Sequence, residues 1–182
     1  MSIDAAINKA WDELGKSGKD KTLKVRFIGS DYLVELEKKR VTKLGDSAVA
    51  KDYYALLILH YILNQDSAGE PAGDWISFRD LEGGNFYYSV FRQRAIDKIV
   101  KKFANNADGL FIDIQKIGGE KLNMADAAVQ IKAFEKVPVA VLLWKQDEEL
   151  PGDANILFKE NIKKIFCTED VAVLGEIIAS KL

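Results

Sequence analysis

The sequence predicts an α+β domain built mainly on antiparallel sheet. Three observations carry this expectation. A β-hairpin signature lies near the N-terminus. An apolar run follows that is too long and too rich in Leu and Ala for a strand. The second half then places several strand-like segments in succession. Clusters of one element type, without strict β–α alternation, point away from a doubly wound sheet. At 182 residues, a single domain over 1–182 is expected, with 1–20 as an N-terminal helix and loop.

Ile3, Ile7, Ala10, Trp11 and Leu14 recur at helical spacing, with Ser2 placed to cap the start and Gly15 expected to follow the end. Leu23, Val25 and Phe27 alternate with Lys24 and Arg26, and Tyr32, Val34 and Leu36 recur at the same spacing of two. Gly29-Ser30 between them is read as the two-residue turn, because Gly supplies the positive φ a tight hairpin needs. Residues 53–63 form the apolar run, read as a buried central helix capped by Asp46 or Ser47 and ending near Asn64. A loop over 65–74, a short strand over 75–78 and a helix over 86–103 capped by Asn85 follow. Strands are expected around Leu110, Ile112 and Ile114, at Val129 and Ile131, over 139–144, and at Ile156 and Phe158. Thr168 is read as the cap of a last helix that buries Val171, Leu174 and Ile178.

Composition excludes several functions. Net charge is −2, against the strongly basic balance of a general nucleic-acid binder. The apolar runs fall short of the roughly 20 residues of a membrane span, so no membrane association is expected. The N-terminal residues carry acids early and have no apolar signal core, which predicts a cytoplasmic protein. Cys167 is the only cysteine and His60 the only histidine. One cysteine forms no internal disulfide and supplies no four-cysteine iron–sulfur cluster, and no metal site or cofactor is evident.

Arg92 is the most informative residue. At about 100° per residue it falls inside the apolar stripe of Tyr88, Phe91, Ala95 and Ile99. A guanidinium on a buried face must be paired, because it cannot shed its charge. It is either an anion site or one half of a structural ion pair, with Asp113, Asp80 or Glu82 as partners. His60 lies within the buried helix, on the sector of Tyr53, Leu56 and Asn64. It reads either as a proton-transfer group or as a hydrogen-bonded core residue. Gly83-Gly84-Asn85 precedes a helix start, where free N–H groups can hold an anion, though it matches no phosphate-binding motif. Gly118-Gly119 reads as a turn. Asp147, Glu148, Glu149 and Asp153 read as a solvated loop without EF-hand spacing. Cys167 is expected to pack against the first turn of the last helix. Trp75, Phe78, Phe86, Tyr87, Tyr88 and Phe91 make the middle segment aromatic-rich, either as core or as a recognition surface.

Three stretches carry a family resemblance: YYALLILHYILN at 53–64, GDWISFRDLEGGNFYYSVFRQR at 73–94, and VPVAVLLWKQDEELPGDANILF with TEDVAVLGE towards the C-terminus. They resemble an uncharacterised bacterial and archaeal family, domain of unknown function 3786, from about Leu23 onward. The resemblance implies no catalytic residues. Some relatives join the domain to a four-cysteine iron–sulfur module like that of corrinoid iron–sulfur proteins, which implies a link to corrinoid or one-carbon metabolism. This chain lacks that module.

The expected site combines His60, Trp75, Arg79, Gly83, Gly84, Asn85, Tyr88 and Arg92, with Asp80 beside them. The first expectation is a small accessory domain that binds a small anionic ligand or a protein partner over 75–92. The alternatives are an enzyme using His60 with Arg79 or Arg92, and a structural homodimer.

Overall fold

A computed structural model describes residues 2–182. It is α+β, with two antiparallel sheets and the helices packed against them. Helix α1 (Ile3–Lys16) starts at Ser2, whose hydroxyl accepts a hydrogen bond from the Ala5 N–H. It buries Ala10, Trp11 and Leu14 and runs through Gly15. Strands β1 (Thr22–Phe27), β2 (Ser30–Glu35) and β3 (Arg40–Lys43) form the first sheet in that order. The hairpin turn is Ile28-Gly29, one residue earlier than expected: Phe27 pairs with Ser30, and both turn residues have positive φ, 42° and 71°. Gly is required at the second position because a Cβ there would sit 2.7 Å from the Ile117 carbonyl oxygen.

Helix α2 (Asp52–Ala68) is longer than expected and takes in residues 65–68. Its N-cap is Lys51. Asp46 does not cap it, because that carboxylate accepts the Ala48 N–H while Thr42 and Val49 extend the first sheet by a bridge. Leu57, Ile58, Leu59, Tyr61 and Ile62 are buried, whereas Tyr53 is exposed.

The second sheet has the order β4-β8-β7-β6-β5. Its members are β4 (Trp75–Ser77), β5 (Glu120–Leu122), β6 (Ala127–Phe134), β7 (Val137–Trp144) and β8 (Asp153–Lys159). Strand β7 is buried along nearly its whole length, as a continuous apolar run requires. Between β4 and β5 lie three helices. Helix α3 (Gly84–Phe91) passes through a π-helical turn over Arg92–Ile96 into α4 (Asp97–Phe103). Helix α5 (Ala107–Lys116) replaces the strand expected around Leu110, Ile112 and Ile114. Asn106 caps it by accepting the Gly109 N–H, and Ala107, Leu110 and Ile114 form the buried face while Ile112 points to solvent. The alternation at 110–114 was also compatible with helical spacing, and the cap decided between the two. Helix α6 (Thr168–Lys181) closes the chain and buries Val171, Leu174 and Ile178.

One continuous core joins both sheets. Phe134 of β6 stacks on Phe27 of β1 at 4.6 Å and on Tyr61 of α2 at 4.3 Å. The Ile28 N–H donates to the Ala133 carbonyl, which ties the hairpin to the larger sheet. Among the described residues, no helix is long and apolar enough to cross a membrane.

Candidate functional site

The start of α6 and the loop before α3 are tied together. The Thr168 hydroxyl donates to the Glu82 carbonyl at 2.7 Å, and the Asn64 amide of α2 donates to the Ile165 carbonyl at 2.9 Å. Between these elements opens a cleft of about 670 Å³. Asn64, Gly83, Tyr87, Lys163, Lys164 and Thr168 are among its walls, with the acidic side chains of Glu82 and Glu169.

Of the eight expected site residues, Gly83 alone lines this cleft. Gly83, rather than Asn85, is the N-cap of α3, with φ 68° in the left-handed region that Gly adopts without strain. Gly84 is buried directly under the Phe78 backbone carbonyl, and Asn85 is exposed. Trp75 faces away. In a strand, neighbours point to opposite faces. Ile76 joins the main core, while Trp75 packs with Ala128, Ala140 and Leu142 on the other face of the sheet, under the Lys159 ammonium at 4.6 Å.

Arg79 lies over the Tyr88 ring, 3.8 Å from its centroid, a cation–π contact that fixes both side chains. Asp80 accepts the Ser77 hydroxyl and the Ser77 N–H, each at 2.8 Å. These bonds hold its carboxyl below the usual carboxylate range. Arg92 is a structural ion pair, and its partners are new. It donates to Asp153 at 2.8 Å and lies 3.2 Å from Asp97. Asp113 instead pairs with Lys102 and Lys116. The π-turn explains the difference. It starts at Arg92 and departs from 3.6 residues per turn, so the regular helical wheel that buried Arg92 does not hold, and the side chain is 38 % exposed.

His60 is partly buried and hydrogen-bonded, and its partner lies 110 residues away. Its Nδ1 is 2.7 Å from an Asp170 carboxylate oxygen in the first turn of α6, with side-chain exposures of 26 % and 8 %. Facing a carboxylate, Nδ1 is the donor. Neither His60, Arg79 nor Arg92 lines the cleft, so the expected grouping of these three is not formed there. Asp170 is a residue that the sequence does not single out as part of a site. Its position at the start of a helix was legible, but its pairing with His60 was not.

Cys167 is the N-cap residue of α6 and is exposed as a residue. Its thiol is nonetheless sheltered. Desolvation, with the Asp170 and Glu169 carboxylates adding to it, pushes the thiol up to about 12. The positive helix end does not prevail over these effects. Iodoacetamide alkylation of the native chain at pH 8 is therefore expected to be on the order of a hundredfold slower than in the urea-unfolded chain. Equal rates would show that the thiol is free.

Residues 7–181 match the model of a family described as a domain of unknown function, DUF3786. The chain belongs to this family. No curated protein and no solved structure gives a significant match to it. Within this DUF3786 domain, no buried side-chain nitrogen or oxygen among the described residues lacks a hydrogen-bond partner. No group of three or more His, Cys, Asp or Glu side chains among them is placed to hold a metal ion. The DUF3786 domain also leaves large apolar side chains open to solvent. Phe86 is 89 % exposed, and Tyr87 and Val90 are exposed beside it.

Proposed function

We propose that this chain is a small binding or accessory domain that docks a protein partner on the face around residues 75–92. One observation carries the reading. Arg79, Asp80 and Arg92 are each engaged within the domain, while Phe86, Tyr87 and Val90 stand exposed next to the cleft. Exposed aromatic side chains beside a concavity are what protein interfaces are enriched in. A cytoplasmic setting belongs to this proposal and rests on composition. The corrinoid or one-carbon link implied by the family resemblance makes corrinoid iron–sulfur proteins the first partner class to test.

A small anionic ligand is the second reading, supported by Lys163 and Lys164 in the cleft wall. An enzyme using His60 with Arg79 or Arg92 has less support, since each of these groups is engaged elsewhere and none of them lines the cleft.

Affinity purification with the wild-type chain and with a Phe86→Ser/Tyr87→Ser variant tests the docking reading. A partner retained by the wild type and depleted at least tenfold by the variant is expected. An unchanged set of bound proteins, together with a melting temperature raised by inorganic phosphate or by cobalamin, would replace the protein partner with a small ligand.

A further inference from the structure

Three hollows run along α6 and share their walls. The 670 Å³ cleft meets a second hollow of about 230 Å³ at Tyr87, Thr168 and Glu169. The second meets a third, of about 390 Å³, at Arg94, Val173 and Glu176. Together they form one groove.

Helix α6 contributes Thr168, Glu169, Ala172, Val173, Glu176, Ile177 and Ser180 to it. Their alternating steps of one and three trace one face of a helix from end to end. This stripe runs beside the core stripe of Val171, Leu174 and Ile178 and meets it at Ile177, which is itself buried. The facing wall is Tyr87, Val90 and Arg94, at i, i+3 and i+7 across α3 and the π-turn. The α6 stripe is about 18 Å long at 1.5 Å per residue, or about three helical turns. A furrow between two helical faces at this spacing accepts the ridge of a third helix.

Charge gives the groove a direction. At its far end lie Lys51 and Arg94, neither of which has an ion-pair partner among the described residues. Glu176 is also there, but it is paired with Lys98 at 3.5 Å. At the near end, Lys163 and Lys164 are offset by Glu82 and Glu169. The net attraction for an acidic group is thus at the Lys51–Arg94 end.

Building on the docking reading, we infer that the partner inserts an amphipathic helix of about three turns into the α3–α6 groove, with an acidic end seated at Lys51 and Arg94. The apolar residues of that helix would recur at i, i+3, i+4 and i+7 and cover Tyr87, Val90 and Val173.

The test is selection of a phage-displayed random 16-residue peptide library on the full chain, with counter-selection on Val90→Glu. Enriched peptides are expected to show helical apolar spacing with Asp or Glu at one end. The synthetic peptide should gain helical circular dichroism on binding and bind the wild type at least tenfold more tightly than either Val90→Glu or Arg94→Glu. If Val90→Glu does not fold, Tyr87→Ser takes its place. Peptides that are lost on Val90→Glu but bind without helical pattern would overturn the helix while leaving the docking reading intact. A chain that forms a dimer in sedimentation equilibrium, broken by Val90→Glu, would make a second copy the occupant and overturn the proposal. Absence of any groove-sensitive peptide would overturn both readings.

Discussion

Replacing Gly84 by alanine is expected to lower stability by about 3 kcal/mol or more, the upper end of what overpacking costs. A Cβ at this position would lie 2.0 Å from the Phe78 carbonyl oxygen and 3.1 Å from its carbon. Both are backbone atoms of the short 3₁₀ turn Phe78–Asp80, so no side-chain rotation relieves the contact. Phe78 is itself fully buried and stacked on Phe91 at 4.1 Å, so displacing the turn disturbs the core beneath α3. Urea unfolding of three variants separates this steric effect from backbone propensity. Gly83→Ala meets only the Tyr87 ring at 3.8 Å and should cost about 1 kcal/mol, through its positive φ alone. Gly15→Ala lies in α1 with nothing within 4 Å, and should stabilise by about 0.5–1 kcal/mol. A Gly84→Ala variant as stable as Gly83→Ala would refute the close approach of α3 to the turn.

The second large effect is expected at His60. His60→Ala leaves the Asp170 carboxylate buried without its donor, and should cost about 2–4 kcal/mol, somewhat below the full range for breaking a buried pair because water reaches the imidazole. Asp170→Asn keeps an acceptor in place and should cost less, about 1 kcal/mol. The double variant His60→Phe/Asp170→Leu removes both polar groups and should recover part of the loss, since a well-packed apolar pair often equals a buried ion pair. The consequence reaches the candidate site. Asp170 belongs to the first turn of α6, and Thr168 in that turn anchors the Glu82 loop. Loss of the His60 contact should therefore also weaken binding in the cleft. A His60→Ala variant that loses less than about 1 kcal/mol would show that the pair is incidental.

These two residues also show how far the sequence could be read. A helix start next to Gly83-Gly84 is legible, because Asn85 before a helical run is a local capping signal. Which glycine caps the helix, and which one lies under a carbonyl, depended on the position of the 78–80 turn. For His60 the sequence leaves two readings, a proton-transfer group or a hydrogen-bonded residue of α2, since a polar group on a buried helix needs a partner. The partner lay 110 residues away, and no local pattern encodes such a distance. Arg92 was expected to be paired, and it is. Asp97, at i+5, is a partner that a regular helical wheel does not offer where a π-turn begins, and Asp153 lies 61 residues away, beyond any local pattern.

The sequence by itself determined the α+β class, the N-terminal hairpin, the apolar strand β7 and the family, because these rest on hydrophobic period, turn chemistry and long runs of residues. Tertiary structure alone decided that α5 is a helix with Ile112 outside, that Trp75 faces the far side of the sheet, and that Arg79, Arg92 and His60 go to separate partners. The physical reason is common to all of these. A side chain's period fixes which face of its element it occupies, but packing between elements distant in the chain fixes what that face meets.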